Sequence, residues 1–409
     1  MRFFDEPLTA DEQAQLGDRF DHNGAAFRKN PFAAYELLRE RCPVVRSAAQ
    51  GGFWIPTTYA QVAAIAGDDE AFSSRINTIP QHPETFLPPI TFDPPESNEY
   101  RRMLLPLLSP GAVRAMRPRL EALATEAIDA VIERGEADLV QDYARRVTYR
   151  TAVALAGLPA EKTDEIMNVV AGGVLGTIDP AAYAEGLLFV HEEVRRAIAA
   201  QRLQPRADGA ISHMLHKVEI MGGRAPSDQE IEGAVMLILG GGADTTVAAT
   251  GTTLYYLGVH PQARARLIAE PDLWSTALEE FLRFTSPNHA LARIVAKGCR
   301  IGGVDLQAGD RVLLPWAAGN WDAAAFADPD QAVLDRFPNR HLAFGVGSHR
   351  CLGSHLARAM FEVMLREALR RLPDYQVVRE GVRKAPSASV VLAFTHLPVR
   401  FSPSARTGG

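Results

Sequence analysis

The chain has 409 residues, of which 47% are hydrophobic and 22% charged, as in globular proteins with a sizeable core. Its formal net charge of −6 lacks the basic excess that marks nucleic-acid-binding domains. The three cysteines, Cys42, Cys299 and Cys351, are too few and too widely spaced for a disulfide framework or a CxxC zinc site. One of them could instead be reactive or bind a metal.

The termini and the apolar runs bear on the compartment. Acids stand near the N-terminus where a signal peptide needs an apolar core, and no run reaches the roughly 18 apolar residues of a membrane span. The most apolar stretch, AVMLILGGGA, ends at Asp244. We therefore expect a soluble, cytoplasmic protein.

In chain order, the hydrophobic periodicity predicts mostly helices and a few short strands. A strand at 51–57 precedes the predicted helices 118–135, 137–158, 182–202, 227–258, 271–284 and 355–372. Ser227 and Glu230 form a capping-box signature at the start of the longest helix. Further strands are predicted within 292–315, at 375–378 and within 388–401.

This order predicts a mainly α fold with a minor β region in one large domain. We place that domain at 1–409, because neither a linker nor a repeat divides the chain. Its helix-rich core is expected at about 95–290 and 340–375, and its β-rich portions at about 40–60, 292–315 and 375–402.

The segment GGGADTT, residues 240–246, interrupts an apolar helical pattern with three glycines. Each glycine in a helix interior costs about 1 kcal/mol relative to alanine, which suggests a functional reason for all three. They could let a flat cofactor or substrate press against the helix, while Asp244 beside Thr245 could pass protons inward. The alternative is a helix that ends at Gly240, with a loop and a second helix after it. A phosphate loop is disfavoured because its lysine is missing.

The segment FGVGSHRCLG, residues 344–353, places a cysteine in a glycine-rich loop before a predicted helix. Gly345, Gly347 and Gly353 allow positive φ angles or a close approach of the backbone to a flat object. The N-terminus of the following helix favours a thiolate at Cys351. A single thiolate does not build a zinc site, but it suits an axial position of a heme iron. The alternative is a buried apolar cysteine in a tight turn.

In the segment EEFLRF, Glu280 and Arg283 share one face of a predicted helix and can form an ion pair. The alternative is a solvated surface pair, which contributes little to stability.

Together these segments resemble the cytochrome P450 family, which DPPE (93–96) and AGNWD (318–322) also match in family order. The resemblance covers nearly the whole chain. It implies the triangular, helix-rich fold of that family, with small β-sheets. The implied cofactor is heme b (iron protoporphyrin IX), with Cys351 as the ligand of its iron.

The resemblance also assigns roles to single residues. It implies that Asp244 and Thr245 are catalytic and control proton delivery during oxygen activation. Ser97 departs from the family, because many relatives carry a histidine at this position that reaches a heme propionate. The implied heme contacts are Arg101, Gly241, Arg293, His341, Phe344, Gly345, His349, Cys351 and Gly353. Glu280, Arg283 and Arg336 are implied to form a structural triad.

The function implied is that of a monooxygenase, which activates O2 and hydroxylates a C–H bond of a small hydrophobic substrate, with a terpenoid favoured. Electrons are expected from a ferredoxin-type partner with its NAD(P)H reductase, and the enzyme is expected to be a monomer. Basic residues on the protein surface nearest the Cys351 thiolate, the thiolate face, would steer this acidic partner. Residues expected on that face are Arg101, Arg102, Arg350 and Arg358. Residues expected at the substrate are Ile79, Phe86, Leu87, Val174, Leu237, Gly240, Leu291 and Val390.

Two other functions remain open. One is a heme-thiolate enzyme that uses peroxide, and the other is a heme-binding sensor or carrier without turnover. The intact Asp244–Thr245 pair favours the monooxygenase over both.

Overall fold

A computed structural model describes Phe4 and residues 6–81 and 86–407. The α-helices within these ranges are α1 (Ala10–Asp18), α2 (Ala25–Lys29), α3 (Pro31–Arg41), α4 (Tyr59–Gly67), α5 (Glu96–Leu108), α6 (Pro110–Asp129), α7 (Arg145–Ala156), α8 (Thr163–Leu175), α9 (Pro180–Leu203), α10 (Ala210–His216), α11 (Asp228–Gly242), α12 (Asp244–Val259), α13 (Pro261–Ala269), α14 (Trp274–Thr285), α15 (Trp316–Asn320) and α16 (Ser354–Arg371). The strands are β1 (Val44–Ser47), β2 (Phe53–Pro56), β3 (Phe72–Ser73), β4 (Glu136–Asp138), β5 (Leu291–Val295), β6 (Cys299–Ile301), β7 (Val304–Leu306), β8 (Arg311–Leu314), β9 (Gln376–Val377), β10 (Arg383–Lys384), β11 (Phe394–His396) and β12 (Pro398–Arg400).

Local signals set the ends of several core helices. The predicted capping box begins α11: the Ser227 hydroxyl accepts from the Glu230 N–H, and the Glu230 carboxylate accepts from the Ser227 N–H. Asp179 caps α9, whose first residue is Pro180. These helices therefore begin where their sequences direct.

The sheets are small and join distant parts of the chain. The largest has the order β1-β2-β8-β5-β3, in which only the β2–β8 pair is parallel. A second sheet has the order β4-β12-β9, and the pairs β10–β11 and β6–β7 complete the set in the described ranges. Three of these pairings, β2–β8, β3–β5 and β4–β12, link segments that are far apart in sequence.

The centre of the molecule is α12, whose residues 246–254 are all buried. It packs against α7, α14, α16 and the π-helical turn Leu139–Ala144. The helical stretch Asp228–Val259 is long and apolar enough to span a membrane, but 67% of its apolar window is buried inside the protein. It therefore forms the core of the fold.

Two element predictions need correction. The predicted helix 137–158 begins with β4 and the π-helical turn, so that α7 starts only at Arg145. Asp138 causes this by capping the turn, because its carboxylate accepts from the Val140 and Gln141 N–H groups. The predicted helix 227–258 is interrupted at Ala243. The alternative of two helices is therefore correct, but the first helix ends at Gly242 and not at Gly240.

Candidate active site

The loop 344–353 is closed by its own backbone. The Cys351 N–H donates to the Phe344 carbonyl at 2.8 Å, so the two ends of the loop meet. Gly347 has φ +73°, and a Cβ there would lie 2.5 Å from the Ala66 carbonyl oxygen at the end of α4. Gly345 also has a positive φ, of +66°. Glycine is therefore required at Gly347 for both backbone angle and space.

Cys351 faces accessible space although protein surrounds its sulfur. The residue is exposed, yet burial raises the pKa of its thiol. The Gly353 N–H and the charges of three arginines, Arg101, Arg350 and Arg358, oppose that rise. The surrounding positive charge favours the thiolate once a cation binds the sulfur.

The interruption between α11 and α12 opens one side of the central helix. Gly241 and Gly242 are exposed, whereas Leu239 and Ala243 beside them are completely buried. A Cβ built on Gly242 would find no atom within 4 Å. Space for a flat group therefore lies against this glycine run.

Asp244 and Thr245 follow the interruption but point in different directions. Asp244 is buried, and its Oδ1 accepts from the Tyr149 hydroxyl at 2.9 Å. Burial raises the pKa of Asp244 to about 6, against the opposing effects of Tyr149 and Arg145. Thr245 is partly exposed, and its hydroxyl donates to the Gly241 carbonyl at 3.1 Å. An acid that can exchange protons near neutral pH thus stands beside a hydroxyl at the open space.

Three of the predicted heme-edge bases lie in one electrostatic neighbourhood. Arg293 is 3% exposed, and burial lowers its pKa to about 10. Burial and then the charge of Arg293 lower the pKa of His349 to about 4, and Arg101 acts in the same direction. The His349 Nε2 atom is buried and has no hydrogen-bond partner among the described residues. An unpaired buried ring nitrogen is costly, and a hydrogen-bonding group of a bound cofactor would remove that cost.

His341 belongs to a different set of contacts, and its predicted contact with a propionate stays a prediction. Its Nε2 pairs with Glu279 at 3.0 Å, and its Nδ1 accepts from the Ala343 N–H. Arg358 also binds Glu279, and despite burial the two partners lower the pKa of Glu279 to about 2. Both ring nitrogens of His341 are thus used inside the protein. Phe344 lies in this set too, with Arg358 4.3 Å from its ring centroid.

Ser97 occupies the position where the resemblance implies a histidine. It is completely buried in α5, and its Oγ has no partner among the described residues. A short hydroxyl without a protein partner fits a bridging water at this position.

The residues Glu280, Arg283 and Arg336 form a single buried ion-pair network. Arg283 makes two 2.8 Å hydrogen bonds to Glu280, and both side chains are completely buried. Arg336 reaches the same carboxylate at 3.0 Å, and Asn339 does so from the loop that leads to Cys351. Arg283 also donates to the carbonyls of Asn320, Pro329 and Gln331. The network therefore ties α14 to the segment before the cysteine loop.

The predicted substrate residues divide by burial. Ile79 and Leu87 are core residues, at 1% and 8% exposure. Phe86 packs over Gly233 of α11, and Val170, one turn before Val174 on α8, is the nearest side chain to Gly240. The members that are partly exposed, and for which a lining role stays a prediction, are Phe86, Val174, Leu237, Gly240, Leu291 and Val390.

The residues around Cys351 fit a heme. The glycine run leaves space for a flat ring, and Cys351 offers one thiolate to an iron. Arg293 and His349 offer a buried cation and an unpaired nitrogen to carboxylates. Across the described ranges, no group of three or more His, Cys, Asp or Glu side chains could hold a metal ion by itself.

Sequence reasoning missed Tyr149, which contacts Asp244 from α7. The two residues are 95 positions apart, and nothing in the local pattern of TYRTAV distinguishes this tyrosine from a core residue. Only the packing of α7 against α12 brings them together.

Known proteins are similar to this chain in sequence and in fold. A sequence model of the cytochrome P450 family matches residues 181–373. The chain is 30% identical to Steroid C26-monooxygenase of Mycolicibacterium smegmatis over 91% of this chain and 93% of that protein. It is 30% identical to Pentalenic acid synthase of Streptomyces avermitilis over 85% and 88%. The solved structure of P450BioI, in complex with an acyl carrier protein ligated by hexadec-9Z-enoic acid, matches with a TM-score of 0.83 at 26% identity, covering 92% and 98%. The predicted fold is thereby confirmed.

Proposed function

This chain belongs to the cytochrome P450 family of monooxygenases, and we propose that it hydroxylates a C–H bond of a neutral hydrophobic molecule, using O2 and electrons from a ferredoxin-type partner. The observation that carries the proposal is the buried Asp244 beside Thr245 at the open glycine run. Bound heme b would supply the oxygen-activating chemistry, with Cys351 as the residue that would bind its iron.

The side chains of this site then have distinct tasks. The Cys351 sulfur is held by its closed loop and by the Gly353 N–H. Arg293 and His349 would bind the anionic edge of the cofactor, with Arg101 in the same electrostatic neighbourhood. Asp244 would take up and release protons near neutral pH, and the Thr245 hydroxyl would orient the final donor at the open space. The chain thus contributes positioning and proton control.

An apolar wall supports a neutral substrate. The partly exposed candidates Phe86, Val174, Leu237, Leu291 and Val390 carry no charge that would bind a carboxylate. One relative is named for a steroid. We propose a terpenoid or another molecule of similar size and polarity, with the enzyme acting as a cytoplasmic monomer.

The proposal is tested by the spectrum of the reduced, carbon monoxide-bound protein. We expect a Soret band at the position typical of thiolate ligation, lost in Cys351→Ala and kept in the matched control Cys299→Ala. A normal band in Cys351→Ala would overturn the assignment. We also expect product to form faster with O2, ferredoxin and reductase than with peroxide alone. Equal rates would favour the peroxide-using alternative, and heme binding without product would favour the sensor or carrier.

A further inference from the structure

Two segments that carry predicted substrate residues lie beside each other. Segment 287–291 leads from α14 into β5 and ends in Leu291, whereas segment 388–392 precedes β11 and contains Val390. The backbones of the two segments are joined, because the His289 N–H donates to the Val390 carbonyl at 3.0 Å. Leu291 and Val390 both remain partly exposed. The spacing of the two segments therefore sets the distance between two candidate lining residues.

The side chain of His289 adds a second connection between these segments. The residue is completely buried, and its Nε2 atom donates to the Ala388 carbonyl. A carbonyl oxygen can only accept, so Nε2 carries the proton and Nδ1 of the neutral ring is an acceptor. The Tyr35 hydroxyl of α3 donates to this Nδ1 atom at 2.9 Å. One imidazole thus connects segment 388–392 to a helix of the core.

The surroundings of His289 keep its ring neutral. Burial lowers its pKa to about 3, and the charge of His22 acts in the same direction, against the opposing effect of the Ala388 carbonyl. The ring centroids of the two histidines lie 6.0 Å apart, and His22 is also completely buried. The other titratable groups that face this pair are the Tyr35 phenol and the Asp21 carboxylate, whose charge acts on the pKa of His22. The neutral ring offers one donor and one acceptor, as its two partners require.

The position of this imidazole indicates a role in specifying one arrangement. Phe27 packs on the His289 ring, with 5.2 Å between the ring centroids, so an apolar side chain could fill the same space. A buried polar ring is costly unless its nitrogens are paired, and both nitrogens of His289 are paired. A fully satisfied buried network of this kind makes the arrangement of the segments that it joins unique and rigid.

We propose that His289 is a positioning residue for the substrate, which holds segment 388–392 against segment 287–291 and so sets the width of the pocket between Leu291 and Val390. The inference rests on the proposed function. Tyr35 contributes by fixing the imidazole through Nδ1. Since an apolar pocket discriminates between ligands by their size and shape, a change in this width should alter the affinity for bulky ligands and leave small ligands unaffected.

The test compares two azole probes on the heme-loaded enzyme, both of which bind heme iron through a nitrogen. Imidazole reaches the iron without filling the pocket, whereas clotrimazole carries three aryl rings that must contact the pocket wall. In Tyr35→Phe and in His289→Leu, we expect the Kd of clotrimazole, measured from the shift of the Soret band, to rise about two- to tenfold, the range for one hydrogen bond. The Kd of imidazole should stay at the parental value.

Two further variants separate positioning from a general loss of structure. The amide Nε2 of the variant His289→Gln can still donate to the Ala388 carbonyl, so this variant should keep the parental Kd for clotrimazole. Tyr143→Phe is the matched control, because Tyr143 is also completely buried but its hydroxyl donates to the Met364 carbonyl of α16. It should keep the parental Kd for both probes.

The carbon monoxide spectrum should be that of the parent in all four variants, which distinguishes a failure of this inference from a failure of the proposed function. An unchanged Kd of clotrimazole in Tyr35→Phe and His289→Leu would overturn the inference. An equal rise in Tyr143→Phe, or an equal rise for imidazole, would overturn it as well, because the effect would then not belong to the pocket wall. If His289→Leu does not fold, the result for Tyr35→Phe decides.

Discussion

Arg293 is a buried cation with no carboxylate bound to it among the described residues. It is 3% exposed in β5, and within the described part of the chain its guanidinium donates one hydrogen bond, to the carbonyl of its neighbour Ala292. Asp69 and Asp93 act on its pKa only through their charges. A buried cation without a bound carboxylate is unfavourable, and a heme propionate would remove that cost.

Replacing Arg293 should therefore weaken heme binding. In Arg293→Gln we expect heme transfer to a scavenging apoglobin to be roughly ten- to a hundredfold faster, the range for a lost hydrogen bond to a charged group. Arg300→Gln, on the exposed β6–β7 hairpin, is the control and should transfer heme at the parental rate. Equal rates in the two variants, with unchanged far-ultraviolet circular dichroism, would contradict the role of Arg293.

At the scale of elements, the carboxylate of Glu280 connects three parts of the chain. It accepts from Arg283 within α14, from the Val333 N–H and from Arg336 in the segment before the cysteine loop. Because desolvation offsets the attraction between buried charges, such a network contributes little net stability as a whole. It becomes costly only when one member is removed, because the remaining charge cannot reach water.

The stability of the whole protein should depend on this carboxylate. Glu280→Gln leaves Arg283 buried without its counter-charge, and we expect a loss of about 3–5 kcal/mol in the free energy of unfolding. The control is Glu270→Gln, which removes the exposed Arg266–Glu270 pair and should cost about 0–1 kcal/mol. Denaturant unfolding followed by circular dichroism checks both. Similar losses in the two variants would mean that the network does not hold the loop.

At the scale of the whole molecule, charge is unevenly distributed. The net charge is −6, yet the charges of Arg101, Arg350 and Arg358 act on the Cys351 thiol, and Arg101 donates to the Arg350 carbonyl. Arg102 follows on α5 and remains largely exposed, although it pairs with Glu99. Arg358 is bound to Glu279. Arg102 and Arg350 are thus the exposed charges best placed to meet an acidic partner at this face.

Reversing one of these charges should slow reduction by ferredoxin. For Arg102→Glu we expect kcat/KM for the ferredoxin to fall by about three- to tenfold at low ionic strength, and the difference should shrink as salt rises. Arg300→Glu is an equal change of net charge on the β6–β7 hairpin and should have no such effect. A salt-independent loss, or equal losses in the two variants, would contradict steering at this face.

Much of the fold and the site could be predicted from the chain alone. The capping box of α11 and the spacing of Glu280 and Arg283 are local sequence patterns. The structure contains both the capping hydrogen bonds and the ion pair that these patterns predict. The prediction of one helix over 137–158 is wrong because its first residues pair as β4 with β12 near the C-terminus. Hydrophobic periodicity over neighbouring residues gives no information about a strand partner so far away. The heme-edge role of His341 stays a prediction, and its contact with Glu279 depends on how α14 packs.

The sequence by itself determined the family, the single candidate thiolate at Cys351, the glycine run beside Asp244 and Thr245, and the ion-pair residues. These follow from short motifs, because their backbone and hydrogen-bond requirements involve neighbouring residues. Only the tertiary structure decided that Ile79 and Leu87 are buried in the core, that Arg293 and His349 share one electrostatic neighbourhood, and that the Tyr149 hydroxyl binds Asp244. Those properties depend on which side chains from distant segments pack together and exclude water from one another. A pattern of neighbouring residues in the sequence does not contain this information.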